Sequence, residues 1–120
     1  MMTREILIID DDKLTRWSLS TLLVRFGYRV REAASAAEGL ASVRESPPDL
    51  VLLDIRLPDG DGGTVLQGFR RSRPELPVVM MSADATPETV RRVRRLGARG
   101  FLAKPCAAAL LQALVAYLLL

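Results

Sequence analysis

Short apolar runs alternate with amphipathic segments along the whole chain. The runs are rich in valine, leucine and isoleucine, whereas the segments between them repeat apolar residues at the helical spacing of three or four positions. The predicted strands cover residues 5–9, 28–33, 50–54, 77–83 and 100–104, and the predicted helices cover residues 14–26, 35–45, 63–72, 86–97 and 107–120. Because most of the strands are almost continuously apolar and each precedes a helix, we expect an α/β fold whose parallel sheet is covered on both faces.

Local side chains indicate where two of the helices begin. Ser35 is followed three residues later by Glu38, which is the spacing of a capping box at a helix start. Thr86 followed by Pro87 suits the start of the fourth helix. The threonine hydroxyl can accept a hydrogen bond from a free backbone N–H of the first turn, and proline has no N–H that needs an acceptor. The prolines at 47 and 48 end the second helix.

Polar residues stand at the ends of four of the five predicted strands. They are Asp10, Asp11 and Asp12 after the first strand, Asp54 at the end of the third, Ser82 near the end of the fourth and Lys104 at the end of the fifth. The second strand ends in Glu32 and Ala33 and contributes no obvious group. Right-handed crossovers bring the carboxyl ends of parallel strands to one edge, where ligands bind in open α/β sheets. We therefore expect a cluster of carboxylates, one hydroxyl and one ammonium group at that edge.

This set of side chains suits a hard cation and phosphoryl chemistry. Crowded carboxylates repel one another unless a cation lies among them, and all-oxygen ligands favour Mg²⁺. A carboxylate beside such an ion is a plausible nucleophile towards a phosphoryl group, whose oxygens Lys104 and Ser82 could bind. Taken singly, each residue has a commonplace explanation, such as a helix cap for Asp12. The prediction depends on the coincidence of all four strand ends.

Composition excludes several other kinds of site. The absence of histidine removes histidine general bases, catalytic triads and imidazole metal ligands, and the lone Cys106 removes an internal disulfide and a cysteine metal site. The net charge of +3 comes from 15 arginines and two lysines that are spread over several segments, so we expect no direct nucleic-acid binding by this domain. The amino-terminal segment lacks a signal-peptide pattern and residues 107–120 are too few to span a bilayer, so we expect no membrane association and a cytoplasmic location.

Four segments together resemble the receiver domain of bacterial two-component response regulators. They are "ILIIDDD", "DLVLLDIRLPDGDG", "PVVMMSA" and "GFLAKP", and the resemblance covers essentially the whole chain. Among receivers the chain is most similar to the NtrC type, because of "DDDKLTRWSL", with its Arg16 and Trp17, and "DIRLP". The resemblance implies a flavodoxin-like (βα)5 doubly wound five-stranded parallel sheet of strand order 2-1-3-4-5. It also implies one receiver domain over residues 1–120, with any output domain outside this chain.

The resemblance implies a role for each residue at the strand ends. Asp54 would be the phosphoacceptor and the modified residue, with Ser82 and Lys104 as the other catalytic residues. The implied Mg²⁺ ligands are Asp10, Asp11, Asp54 and the backbone carbonyl of Arg56, where Asp11 binds directly and Asp10 acts largely through water. Ser82 and Phe101 would be the switch residues, and the Lys104–Pro105 bond would be cis.

The implied function is that of a phosphorylation switch. A sensor histidine kinase would donate a phosphoryl group to Asp54 with Mg²⁺ bound, and the surface of the fourth helix, fifth strand and fifth helix would change to control an output domain, which we expect to regulate transcription. A homodimer through the same surface is an additional expectation. The chain would act on no separate substrate and so would not be an enzyme. The alternative is a receiver-like binding module that does not use phosphate; a haloacid-dehalogenase phosphatase would need a second aspartate where Arg56 stands.

Positions that differ from the family pattern, and residues on the helix surfaces, give further predictions. Gly60 predicts a more mobile loop after the third strand, and the alanines after Cys106 predict a poorly capped last helix. Trp17 and Val24 lie opposite the apolar face of the first helix, where a partner could bind. The fifth helix is apolar nearly all round, and the arginines of the fourth helix point outward. Arg56 and Asp84 flank the site and are predicted to form an ion pair.

Overall fold

Five parallel strands alternate with five helices in the computed structural model, which describes residues 3–120. The strands are β1 (Glu5–Ile9), β2 (Arg29–Ala33), β3 (Leu50–Asp54), β4 (Val78–Ser82) and β5 (Gly100–Ala103). The helices are α1 (Lys13–Arg25), α2 (Ala36–Glu45), α3 (Gly62–Ser72), α4 (Pro87–Arg95) and α5 (Ala108–Leu118). A short antiparallel ribbon of Arg56–Leu57 and Gly60–Asp61 joins β3 to α3.

The strands lie in the order β2-β1-β3-β4-β5, and every pair in this sheet is parallel. This confirms the predicted fold and strand order. Neighbouring residues of a strand point to opposite faces, so Leu7 belongs to the core beneath α2, α3 and α4, whereas Ile8 belongs to the core beneath α1 and α5. Because both faces are covered, β1, β3, β4 and β5 are apolar almost without interruption, and β3 is buried along its whole length. The edge strand β2 is the exception, since three of its five residues are charged.

The predicted caps hold α2 and α4 at their starts. The Ser35 hydroxyl accepts a hydrogen bond from the backbone N–H of Glu38 at 3.1 Å, and the Thr86 hydroxyl accepts one from Thr89 at 3.4 Å. Asp12 caps α1 by accepting from the N–H of Leu14 at 3.2 Å. These helices therefore begin where local side chains satisfy their first free amides.

The last helix lacks a side-chain cap, as its alanine-rich start predicts. Ala107 occupies the capping position of α5, and the helix covers residues 108–118 instead of the predicted 107–120. The Lys104–Pro105 bond is cis, which confirms that prediction. The strand β5 ends at Ala103, so Lys104 stands one residue beyond it.

Two carboxylates of the loop after β3 bond to neighbouring helices. The carboxylate of Asp59 accepts hydrogen bonds from the N–H groups of Ala36 at 2.8 Å and Ala37 at 2.9 Å, at the start of α2. Asp61 caps α3 by accepting from Gly63 N–H at 3.2 Å. The ribbon was not predicted from the sequence, and the expected mobility at Gly60 stays a prediction.

None of the helices formed by residues 3–120 has the length and apolar character needed to cross a lipid bilayer.

Candidate functional site

Three carboxylates meet at the carboxyl edge of the sheet. One oxygen from each of Asp10, Asp11 and Asp54 lies within 4.8 Å of the others. Asp10 and Asp11 follow β1, and Asp54 is the last residue of the neighbouring strand β3. Asp10 and Asp54 are buried, whereas Asp11 is exposed. The predicted convergence of these residues is therefore confirmed by their positions.

Lys104 bridges the two buried carboxylates. Its ammonium group donates hydrogen bonds to Oδ2 of Asp10 at 2.6 Å and to Oδ2 of Asp54 at 2.9 Å. Burial by itself lowers the pKa of Lys104, but the hydrogen bonds to Asp10 and Asp54 outweigh it and raise the pKa above the usual 10.5. Lys104 is therefore a charged bridge between the ends of β1 and β3.

The remaining charge at the site is negative. Burial raises the pKa of Asp54 above its usual 3.8, and the hydrogen bond from Lys104 only partly offsets this effect, while the charge of Asp10 adds to it. Lys104 bonds only two of the three carboxylates, so a cation among them would relieve the remaining repulsion. The cluster consists entirely of oxygen donors, and one of the three is open to solvent, which fits Mg²⁺ with several retained waters.

Every polar group of Asp10 already has a protein partner. Its N–H donates to the carbonyl of Ala33 at 3.0 Å and its carbonyl accepts from Arg16 at 2.6 Å. Its carboxylate accepts from Asp12 N–H at 2.9 Å and from Lys104. Asp11, by contrast, makes no hydrogen bond or ion pair with any residue between 3 and 120. The two adjacent acids are thus positioned differently, one fixed inside the protein and one available to solvent.

The second strand contributes to the site through Arg16, which corrects the sequence analysis. Arg16 is mostly buried and donates from Nε to Glu32 on β2 at 3.0 Å while it holds the Asp10 carbonyl. The sequence pattern singled out both residues, but their contact was not predicted. The contact joins a helix to a strand, and no local spacing reveals it.

Ser82 and Arg56 lie at the same edge, but neither side chain forms a hydrogen bond or an ion pair with Asp10, Asp11 or Asp54 among residues 3–120. The Ser82 hydroxyl is buried and accepts a hydrogen bond from Asp84 N–H at 3.0 Å, and its carbonyl accepts from Lys104 N–H at 2.9 Å. Arg56 N–H donates to Oδ1 of Asp54 at 3.2 Å, and its side chain is exposed. Phe101 lies on β5, half-buried against the core beneath α2, α3 and α4.

Comparison with known proteins decides the family. The family described as "Response regulator receiver domain" matches residues 6–116. The chain belongs to this family. Receiver domains are the phosphoacceptor switches of two-component response regulators, and they work with sensor kinases and output domains.

Named relatives support the likeness of this receiver domain to the NtrC type. It is 38% identical over 101 residues to the transcriptional regulatory protein ZraR of Salmonella typhimurium, covering 84% of this chain and 23% of ZraR. It is 38% identical over 105 residues to the DNA-binding transcriptional regulator NtrC of a Bradyrhizobium species, covering 88% of this chain and 22% of NtrC. The chain therefore spans about a quarter of the length of these two curated relatives.

A solved structure agrees with the fold of the receiver domain. A putative response regulator from Chloroflexus aurantiacus superimposes with a TM-score of 0.94 at 32% identity, and the match covers 98% of each chain.

The predicted ion pair between Arg56 and Asp84 is wrong for this receiver domain. The Asp84 carboxylate accepts from Thr86 N–H at 3.1 Å and from the Thr89 hydroxyl at 2.8 Å, and no arginine in the described part of the chain lies within 4.0 Å of it. These hydrogen bonds lower the pKa of Asp84, and the charge of Arg56 is the smallest contributor. Asp84 stands just before α4, where nearby donors are free, so local hydrogen bonds replace a pair with a long exposed side chain.

The helix surfaces of the receiver domain follow the predicted pattern. Trp17 is 64% exposed and Val24 59% exposed on α1, opposite the buried Leu19 and Leu23. On α5, Leu111 and Val115 are buried whereas Leu110 is exposed. The arginines at 91, 94 and 95 on α4 are exposed, while Val93 is buried.

Proposed function

We propose that this receiver domain accepts a phosphoryl group on Asp54 from the phosphohistidine of a sensor kinase. The observation that carries the proposal is the contact of Lys104 with both Asp10 and Asp54 inside a cluster of three carboxylates. A structural ion pair needs no third acid, whereas phosphoryl transfer to a carboxylate needs a cation to offset the charge of the incoming group.

Asp54 acts as the nucleophile in the proposed step. One of its oxygens forms a bond to phosphorus while the bond between phosphorus and the kinase imidazole nitrogen breaks. The electron pair of the broken bond stays on that nitrogen. Lys104 then pairs with a phosphoryl oxygen, and Ser82 donates its hydroxyl proton in a hydrogen bond to another once it turns from Asp84.

The residues proposed to hold Mg²⁺ are Asp11, Asp54 and the backbone carbonyl of Arg56, with Asp10 acting through water. Asp11 is exposed and free of hydrogen bonds within residues 3–120, which suits a direct ligand. Asp10 is buried with its carboxylate already engaged, which suits an indirect role. When bound, Mg²⁺ supplies positive charge to the phosphoryl oxygens.

Phosphorylation is proposed to act on a partner through the surface of α4, β5 and α5. Drawing the Ser82 hydroxyl towards Asp54 frees the Asp84 N–H, and Phe101, which is half-buried on the edge strand, turns further inward. The exposed Trp17 on α1 is the proposed contact for the kinase. We also propose that this surface controls an output domain that regulates transcription. The same proposal includes a homodimer through α4, β5 and α5 and a cytoplasmic location. All covalent chemistry occurs on Asp54 itself and no separate substrate is turned over.

The experiment is to expose the purified chain to acetyl phosphate with and without Mg²⁺ and to follow phosphoryl uptake by intact mass. We expect uptake by the wild type only with Mg²⁺, no uptake by Asp54→Asn, and normal uptake by Asp59→Asn, which alters a carboxylate outside the site. Uptake that persists in Asp54→Asn removes Asp54 as the acceptor. A wild type that takes up nothing with Mg²⁺ favours the phosphate-independent binding module.

A further inference from the structure

Two polar contacts join the first turns of α4 to the loops that follow β3 and β4. The Thr89 hydroxyl donates to Oδ2 of Asp84 at 2.8 Å, and Nη2 of Arg92 donates to Oδ2 of Asp61 at 2.7 Å. Thr89 and Arg92 are three positions apart, so they lie on one face of the helix. That face borders an open cleft of about 500 Å³, which Ser82 also lines. The amino-terminal half of α4 is therefore connected to these loops by polar contacts beside an open cleft, and not by closely packed side chains alone.

The first contact reaches the Ser82 hydroxyl through Asp84. Ser82 Oγ accepts from Asp84 N–H, and the Asp84 carboxylate is held by Thr86 and Thr89. When the hydroxyl turns towards Asp54, the Asp84 N–H loses this acceptor, so the hydrogen bonds of the loop that carries Asp84 change. Because Asp84 is also bound to α4, the position of the hydroxyl and the position of α4 are coupled.

The second contact reaches the loop that carries Asp54. Asp61 caps the start of α3 and belongs to the ribbon whose first strand starts two residues after Asp54. Nη2 of Arg92 lies 2.9 Å from the position that a Cβ atom on Gly63 would occupy, so the guanidinium packs closely against the start of α3. A displacement of α4 away from α3 therefore loses the Arg92–Asp61 ion pair.

We propose that the contacts Thr89–Asp84 and Arg92–Asp61 form a latch that favours the unphosphorylated arrangement of the switch. Thr89 and Arg92 are then positioning residues for Ser82, and this inference rests on the proposed roles of Asp54 and Ser82. A phosphoryl group or its analogue binds the activated state of the switch more tightly than the unphosphorylated state. Loss of contacts that stabilise only the unphosphorylated state therefore raises the apparent affinity for that ligand. The Arg92 and Asp61 side chains are 47% and 43% exposed, so we expect a gain of roughly two- to fivefold.

The test measures the dissociation constant of beryllofluoride, a phosphoryl analogue, by calorimetry in the presence of Mg²⁺ at low ionic strength. Arg92→Gln and Asp61→Asn remove the ion pair, and the asparagine retains an oxygen that can cap α3. Thr89→Val removes the other contact with little change in shape. The matched control is Arg95→Gln, which removes an exposed arginine from the same helix that has no carboxylate partner within residues 3–120.

We expect Arg92→Gln, Asp61→Asn and Thr89→Val to bind beryllofluoride roughly two- to fivefold more tightly than the wild type. We expect Arg95→Gln to bind it with the wild-type affinity. Arg92→Gln and Asp61→Asn change the net charge in opposite directions, so a shared gain does not arise from long-range electrostatics. The double variant of Arg92→Gln with Asp61→Asn should bind beryllofluoride no more tightly than either of these two single variants, because both remove the same ion pair. Arg92→Lys should keep the wild-type affinity, and the gains from breaking the ion pair should shrink at high salt.

Unchanged or weaker binding by both Arg92→Gln and Asp61→Asn overturns the latch, as does a fully additive double variant. A different result bears on the proposed function instead. If the wild type binds no beryllofluoride with Mg²⁺, or if Asp54→Ala binds it as well as the wild type, the acceptor role of Asp54 is wrong. Failure of the latch and failure of the acceptor site are therefore distinguishable.

Discussion

Nζ of Lys104 lies 2.9 Å from Oδ2 of Asp54, although the two residues are 50 positions apart in the chain. The same ammonium group lies 2.6 Å from Oδ2 of the fully buried Asp10. Among residues 3–120, it is the cationic side chain within 4.0 Å of both carboxylates. The energetic consequences of this contact can be measured without any phosphodonor.

Lys104→Met should destabilise the protein when Mg²⁺ is absent. Removal of the ammonium group leaves two buried carboxylates without their cation, which we expect to cost about 1–3 kcal/mol of unfolding free energy, less than for a fully buried pair because Lys104 retains some exposure. Urea unfolding in EDTA at neutral pH measures the loss. The control is Lys13→Met, which removes the other lysine of the chain from an exposed position. Equal stability of the two variants would contradict the bridging role.

Asp54→Asn should raise the stability of the metal-free protein at neutral pH. Because burial raises the pKa of Asp54 above 3.8, the folded state binds a proton more strongly than the unfolded state does. Stability of the wild type therefore falls as pH rises from 3.8 through the raised value, and the full penalty remains above it. Asparagine carries no such penalty. Urea midpoints should favour the variant at pH 7 and converge as the pH falls through that window; a gap that widens on acidification is the opposite result.

Mg²⁺ should stabilise the wild type and have much less effect on Asp11→Asn. A ligand present at a hundred times its dissociation constant stabilises the folded state by about 2.7 kcal/mol. Asp11 is exposed and unbonded within residues 3–120, so its substitution should change metal-free stability by less than about 0.5 kcal/mol. Thermal unfolding with increasing Mg²⁺ tests both statements, with Glu45→Gln as an exposed carboxylate control. A full Mg²⁺ response in Asp11→Asn would remove it as a ligand.

Gly62→Ala should be far more damaging than Gly60→Ala. A Cβ atom on Gly62 would lie 2.3 Å from the backbone oxygen of Asp54, whereas the nearest atom to one on Gly60 is 4.0 Å away. Accommodating a Cβ atom at Gly62 requires backbone movement beside Asp54, the proposed phosphoacceptor, which we expect to cost roughly 2 kcal/mol or more of unfolding free energy. Chemical denaturation of both variants makes the comparison. Similar losses for the two would mean that the loop adapts freely.

Much of the fold was predictable because its signals are local. The apolar runs mark the strands, and Ser35 and Thr86 mark helix starts, since each interaction involves residues close in sequence. The parallel arrangement follows from strands that are buried on both faces. The strand order itself was implied by the family resemblance and not by the pattern.

The contacts around the site were harder to predict. The ion pair between Arg56 and Asp84 was wrong because Asp84 finds donors in its own loop and in the first turn of α4. The contact between Arg16 and Glu32 was missed because it joins different elements. Alternative pairings of exposed polar side chains differ in their contribution to stability by about 1 kcal/mol or less. This difference is too small for residue type alone to decide which pair forms.

The sequence by itself determined the fold class and the kinds of group that gather at the carboxyl edge, because hydrophobic periodicity and parallel crossovers leave few alternatives. Only the tertiary structure decided how those groups are engaged: Asp10 fully bonded, Asp11 open to solvent and Arg92 bound to Asp61. The reason is physical, since burial of apolar strands is a large collective effect that the pattern records, whereas each hydrogen bond depends on the final distance between atoms.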